Sequence, residues 1–195
     1  VKRVGIKFAL GENPKSTFAD RDTAPITRMA TAALIREALF KAKRYMQDKL
    51  EAEENGDALP EFDMKYEALI PLLKREIKAH FHCHRADDIM TAVRIAKEFD
   101  LDYVLVHCTE GHAVADLLGG EKAQAIVGPV ICDRGKPELS RLTTANAGVL
   151  HKNGVLTAVC TDHPEVPIQY LCTSAAYCVK SGLPKEEGIR SITVN

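Results

Sequence analysis

Short apolar runs alternate with longer amphipathic segments along the second half of the chain. The runs have the length of strands and lie at 77–82, 103–106, 125–130 and 155–159. Between two of them, apolar residues recur at helical spacing, as at Ile89, Val93 and Ala96. Strands that alternate with helices in this way are parallel and are connected by crossover helices. The pattern therefore predicts an α/β fold with a parallel sheet.

The first part of the chain predicts one more strand and two longer helices. Residues 4–10 form an apolar run that passes into a predicted loop at Gly11. A helical pattern spans about 25–52, and its charged far end is typical of a solvent-exposed helix. A second helix is predicted over 64–74, with Pro71 as a kink or late start. Five strands are therefore expected in all.

Composition and charge exclude several classes of protein. The chain has 195 residues, of which 46% are hydrophobic and 27% charged, a balance that excludes a disordered chain. With a net charge of −1 it has no basic field for nucleic acid, and no apolar run approaches the roughly 20 residues of a membrane helix. Six cysteines without a C-x2-C pair do not make a disulfide framework, and reduced thiols predict a cytoplasmic protein.

Histidines gather where the predicted strands end. Five of the seven follow a strand, namely His82, His84, His107, His112 and His163. Asp162 follows the last strand in the same way. In a parallel α/β barrel the carboxyl ends of the strands share one mouth, and catalysis takes place there. We therefore expect these side chains to crowd one rim.

Imidazole and carboxylate together indicate a transition-metal site. They suit zinc, manganese, iron or cobalt. A catalytic zinc usually has three protein ligands and an open position for water, and His82, His107 and Asp162 come from three different strands. Metal-bound water is acidic enough to supply hydroxide near neutral pH, and Asp162 could take its proton.

Four further residues are candidates for binding substrate, and each has a structural alternative. They are His84, His112, Arg134 and His163. The two histidines at 84 and 112 could instead hydrogen-bond their loops, and Arg134 could lie in a solvated loop. His163 precedes Pro164, which restrains its backbone toward an extended form. A thiolate zinc site is disfavoured, because zinc-binding cysteines usually come in close pairs.

Taken together, six segments resemble the amidohydrolase superfamily, in its imidazolonepropionase and prolidase-like branch. They are GIKFALGENPK, HFHCHRADDIMTAVRIAKEF, LVHCTEGHAVAD, VGPVICDRGKPEL, VCTDHPEVPIQYL and LPKEEGIRSITVN. The resemblance runs from about Val4 to Asn195. It implies a distorted (β/α)8 barrel that binds one or two divalent metal ions, zinc first among them. It also implies hydrolysis of amide-type C–N bonds.

The resemblance also implies a role for individual residues. In the family the fifth and sixth barrel strands each give a histidine ligand, which match His82 and His107 here. The eighth strand gives an aspartate that is both ligand and base, which matches Asp162. The fourth strand gives a bridging carboxylate, which would be Glu12 or a carboxylated Lys7. Glu12 is preferred because it needs no modification.

One departure from the family concerns the first half of the barrel. The family's His-x-His pair after the first barrel strand has no counterpart, and a full barrel has eight strands and ~250 residues. Residues 1–195 are therefore expected to be one incomplete barrel domain, strands four to eight, cut from a longer chain and inactive alone. An open barrel exposes strand edges. We therefore expect a homo-oligomer or association with the missing half.

The leading hypothesis is a metal-dependent hydrolase with a small-molecule amide-type substrate, such as an acyl-amino acid, a dipeptide or a cyclic amide. A deaminase of the same superfamily is an alternative, but it would need an acid close to His82, where Cys83, His84 and Arg85 follow. A catalytically dead barrel that serves as a binding or assembly module is another. A dinucleotide-binding domain would need a G-x-G-x-x-G loop, which the sequence lacks.

Overall fold

A computed structural model describes residues 4–195 and contains a five-stranded parallel sheet in the order β1-β2-β3-β4-β5. The strands are β1 (Gly5–Ala9), β2 (Lys78–Cys83), β3 (Tyr103–His107), β4 (Gln124–Val127) and β5 (Leu156–Val159). Neighbours in sequence are neighbours in the sheet, as in a (β/α)8 barrel. The predicted α/β fold is confirmed, and it is consistent with part of such a barrel.

Eight α-helices accompany the strands in the part of the chain that the structure describes. They are α1 (Glu12–Ala19), α2 (Arg28–Asn55), α3 (Met64–Leu73), α4 (Ala86–Glu98), α5 (Ala115–Gly120), α6 (Asn146–Lys152), α7 (Leu171–Lys180) and α8 (Lys185–Arg190). None of the helices within residues 4–195 combines the length and the apolar character needed to cross a membrane.

The loop predicted after β1 is wrong, because α1 occupies this position. Gly11 has φ 82°, in the left-handed region, and the helix begins at the next residue. Pro14 lies in the first turn, where backbone N–H groups have no partner within a helix. A proline that signals a loop in isolation is therefore compatible with the start of a helix here.

Capping residues set the bounds of the two long helices. The α2 helix begins after Thr27, whose hydroxyl accepts from the backbone N–H of Ala30 at 3.0 Å, and it ends at Gly56 in the left-handed conformation. Asp63 caps α3 in the same manner. Pro71 lies near the end of α3 without ending it. Both predicted helices are confirmed, with α2 starting three residues later than the pattern suggested.

The hydrophobic core lies between the sheet and the helices. Along β2, Phe81 and Cys83 face the helices and are fully buried. Because side chains alternate along a strand, His80 and His82 point to the other face. A cavity of about 570 Å³ adjoins that face, near its amino-terminal end, and its lining includes His80, Ile126 and Leu156. The histidines therefore belong to the face that a closed barrel would enclose.

Candidate metal centre

Three histidines meet at the carboxyl ends of β2 and β3. His82, His84 and His107 each offer one ring nitrogen, and these atoms lie within 4.8 Å of one another. All three side chains are buried, at 4, 5 and 3% exposure respectively. Imidazole is a preferred ligand of zinc and of other transition metals. The group could therefore hold a metal ion.

The backbone departs from regular strand geometry at His107. This residue has φ 71° and the following Cys108 has φ 45°. Asp162, beyond the end of β5, has φ 53°. A non-glycine residue in the left-handed region costs about 1–3 kcal/mol and is concentrated at functional sites. Two of the residues predicted as ligands therefore carry backbone strain.

Hydrogen bonds determine which nitrogen of His107 is available to a metal. Its Nδ1 lies 2.7 Å from the carbonyl oxygen of Gly128. A carbonyl only accepts, so Nδ1 carries the proton and Nε2 keeps its lone pair. His82 differs, because its Nε2 lies 3.3 Å from the amide nitrogen of Asn13 and its buried Nδ1 has no partner among the described residues.

Burial keeps the three imidazoles neutral. Desolvation, followed by the charges of His107, Lys7 and Lys136, lowers the pKa of His82 to about 3. Desolvation and the two neighbouring histidines lower the pKa of His84 to about 2. Burial also lowers the pKa of His107, against the opposing effects of the Gly128 carbonyl and of Asp162. Neutral imidazole is the form that binds metal.

A partly buried ionic network lies behind the histidines, and the sequence analysis missed it. Arg28, at the start of α2, donates to Asp88 at 3.0 Å and to Glu12 at 2.9 Å. Its guanidinium also lies 3.9 Å from Glu138, whose side chain is fully buried. Burial raises the pKa of both Asp88 and Glu138. Nothing in a single sequence distinguishes these acids from exposed ones.

The two candidates for a bridging ligand occupy different surroundings. Lys7 pairs with His80 in the parallel register, so its side chain is on the face that carries His82. Its charge acts on His82 and on His107. Glu12 instead forms ion pairs with Lys15 at 3.2 Å and with Arg28 at 2.9 Å.

The remaining predicted residues are less buried than the three histidines. Asp162 is exposed, yet its charge acts on His107. Arg134 is exposed and donates to the carbonyl of Leu142 at 2.9 Å. His163 is exposed too, and its Nδ1 accepts from a backbone N–H at 3.3 Å. His112 is half-buried, and its Nδ1 has no hydrogen-bond partner among the described residues.

Comparison with known proteins gives two relatives with the same name. No protein-family model matches the chain. It is 27% identical over 204 residues to the curated "Amidohydrolase tasK" of Hapsidospora irregularis, an alignment that covers 96% of this chain and 20% of that protein. A crystal structure of an amidohydrolase from Thermotoga maritima MSB8 is 40% identical, with a TM-score of 0.94 over 98% of this chain and 50% of that one.

The chain thus spans half the length of the Thermotoga protein and a fifth of the Hapsidospora protein. Both relatives bear the name of the superfamily that the six sequence segments resemble. The structural match extends over nearly all of this chain, including the strands that carry His82 and His107.

Proposed function

We propose that this chain, as a member of the amidohydrolase superfamily, forms part of a barrel that hydrolyses amide-type C–N bonds with a divalent metal. The group of three buried, neutral histidines at the mouth of the sheet carries the proposal. Because the chain spans half or less of its relatives, we assign the activity to the complete barrel. Residues 1–195 would be one incomplete domain, inactive alone.

The donor atoms fit a transition metal. His107 keeps the lone pair of Nε2, and the lone pair of His82 is on Nε2 as well, where it faces the amide nitrogen of Asn13 at 3.3 Å. We propose these two residues as ligands, together with Asp162, for one or two ions, with zinc favoured over manganese, iron or cobalt. When bound, such an ion would polarise the substrate carbonyl and lower the pKa of water.

We propose a carboxylated Lys7, rather than Glu12, as the bridging ligand. Lys7 shares a sheet face with His82 and acts electrostatically on it, whereas the carboxylate of Glu12 is already paired with Arg28 and Lys15. This reverses the preference drawn from the sequence, and the reason is the local pairing of Glu12.

The residues around the histidines would bind substrate and move its protons. Asp162 would take a proton from the attacking water and deliver it to the leaving nitrogen. Arg134 and Lys136 carry no carboxylate partner within residues 4–195, and they suit a substrate with a carboxylate, such as an acyl-amino acid or a dipeptide. His112 and His163 would contribute further polar contacts.

We propose that the exposed inner face of the sheet is covered in the assembled protein. Leu156 on this face is 47% exposed, and Val104, Ile126 and Ala158 line the cavity beside it. The other half of a barrel, or a second copy of this chain, would bury it. All six cysteines are free thiols, which suits a reducing compartment such as the cytoplasm.

Replacement of Asp162 in the complete enzyme tests this proposal. We expect Asp162→Asn to lower kcat by about 10²-fold or more, since general-base catalysis contributes that much. The metal content should be largely retained, because His82 and His107 remain. Asp133→Asn, which changes another exposed acid near the mouth, is the matched control and should leave kcat unchanged. Hydrolysis by Asp162→Asn at the wild-type rate would contradict the assignment of the base.

A further inference from the structure

We propose that His84 is a positioning residue that holds the ring of His107, and that it is neither a metal ligand nor a substrate contact. This inference rests on the proposed function, because it concerns the same metal centre. The two rings are stacked, with centroids 4.6 Å apart and planes inclined by 12°. His82 instead meets both rings edge-on, at interplanar angles of 77° and 81°.

Both nitrogens of His84 face groups of the protein. Nδ1 lies 2.8 Å from the hydroxyl oxygen of Thr109, and Nε2 lies 3.8 Å from Oε1 of Glu138. The second distance exceeds that of a hydrogen bond, but this Oε1 is buried and has no other partner among residues 4–195. An ionised carboxylate only accepts, so it favours a proton on Nε2. Nδ1 of His84 then accepts from Thr109.

The opposite tautomer is imposed on His107. Its proton is on Nδ1, directed at the Gly128 carbonyl, and its Nε2 has the lone pair. The lone pair of His84 is on Nδ1 and accepts a hydrogen bond from Thr109. The lone pair of His107 is on Nε2 and is available to a metal ion. The two stacked rings therefore have different roles, although burial and residue type are the same.

The surroundings of Glu138 fix its position. Its side chain is fully buried, and Oε2 accepts from the backbone N–H of Glu12 at 2.9 Å. Arg28 lies 3.9 Å from the same oxygen and supplies a compensating positive charge. Gly11 leaves room for the carboxylate, because a Cβ atom at this position would lie 2.6 Å from Oε2. Oε1 is therefore held toward His84 by contacts that involve neither histidine nor metal.

The ring of His84 stabilises the orientation of the His107 side chain. This residue has a strained backbone, with φ 71°, so its side-chain direction must be maintained by its contacts. The Gly128 carbonyl fixes one edge of the ring, and His84 covers one face. Contacts of this kind around a ligand typically change metal affinity by about 10–100-fold when they are removed.

Ring-nitrogen NMR of the 195-residue chain tests the assignment directly. In long-range ¹H–¹⁵N spectra without metal, we expect His84 as the Nε2–H tautomer and His107 as the Nδ1–H tautomer. Added zinc should shift Nε2 of His107 strongly and leave the Nε2 proton of His84 in place. Loss of that proton on zinc binding would make His84 a ligand and overturn the inference. A chain that binds no zinc through either histidine would instead overturn the proposed metal centre itself.

A pair of variants provides a second test. Glu138→Gln can still accept from Glu12 but loses the charge that selects the tautomer of His84. We expect a mixed or reversed His84 tautomer and a zinc affinity lower by about 10–100-fold. The matched control is Glu165→Gln, an exposed acid near the end of β5, which should change neither. An unchanged tautomer and affinity in a folded Glu138→Gln variant would contradict the positioning role.

Discussion

The mouth of the sheet has a buried side and an open side. At the ends of β2 and β3 the three histidines are buried, and hydrogen bonds or ring contacts hold each of them. At the end of β5 and in the loop after β4, Asp162, His163 and Arg134 are exposed. The buried side is organised by this chain alone. On the open side, Asp162, His163 and Arg134 are accessible to solvent.

The two sides also differ in their electrostatics. The buried side has an ionic network in which the carboxylates of Asp88 and Glu138 are buried and the side chain of Arg28 is 24% exposed. Charges on the open side are screened by solvent, so pairs there contribute little to stability. A substitution behind the histidines should therefore have a large effect on folding, and one at an exposed position a small effect.

The largest difference is expected between the removal of an arginine behind the buried histidines and the removal of an exposed arginine. Arg28→Ala would leave the carboxylates of Asp88 and Glu138 buried without their cation, and should lower the free energy of unfolding by about 3 kcal/mol. Arg44→Ala breaks an exposed pair with Asp48 within α2 and should cost at most about 0.5 kcal/mol. Urea denaturation at pH 7 measures both. Equal losses in the two variants would contradict the contrast.

The effect of pH is smaller when it is counted for one histidine and one pH unit. The pKa values of His82 and His84 are lowered to about 3 and about 2 in the folded chain, from an ordinary 6.5. Below about pH 6.5 the unfolded chain therefore binds more protons, and the free energy of unfolding falls as the pH decreases toward 3. Each of these histidines should contribute a slope of about 1.4 kcal/mol per pH unit.

Variants distinguish the contribution of His82 to the pH dependence of the free energy of unfolding from the contribution of the carboxylates. His82→Asn should reduce the pH dependence of unfolding between pH 6.5 and 4, measured with a chelator present. His163→Asn, at an exposed position on the open side, should leave it as in the wild type. A His82→Asn variant with the wild-type slope would show that this histidine is not held neutral by burial.

The sequence predicted those parts of the molecule that depend on periodicity and strand order. The five strands and the convergence of His82, His84 and His107 followed from the apolar runs and from the residues at their ends. These features are local, or they follow from the general rule that parallel strands align their carboxyl ends.

Long-range contacts account for what the sequence did not reveal. The burial of Glu138 depends on Arg28 and on the backbone of Glu12, which are more than one hundred residues away along the chain. The α1 helix was missed because Pro14 signals a loop unless its place in the first turn is known. The tautomer of His107 depends on a carbonyl after β4, which no pattern of side chains encodes.

Metal binding by the thiol-blocked 195-residue chain tests the central claim most directly. Zinc content would be measured by mass spectrometry after dialysis, for the wild type and for His107→Ala, with circular dichroism to verify that both are folded. We expect about one zinc ion per wild-type chain. His107→Ala should retain far less. No zinc in the wild type, zinc lost on thiol blocking, or equal zinc in both chains would contradict a metal centre built on these histidines.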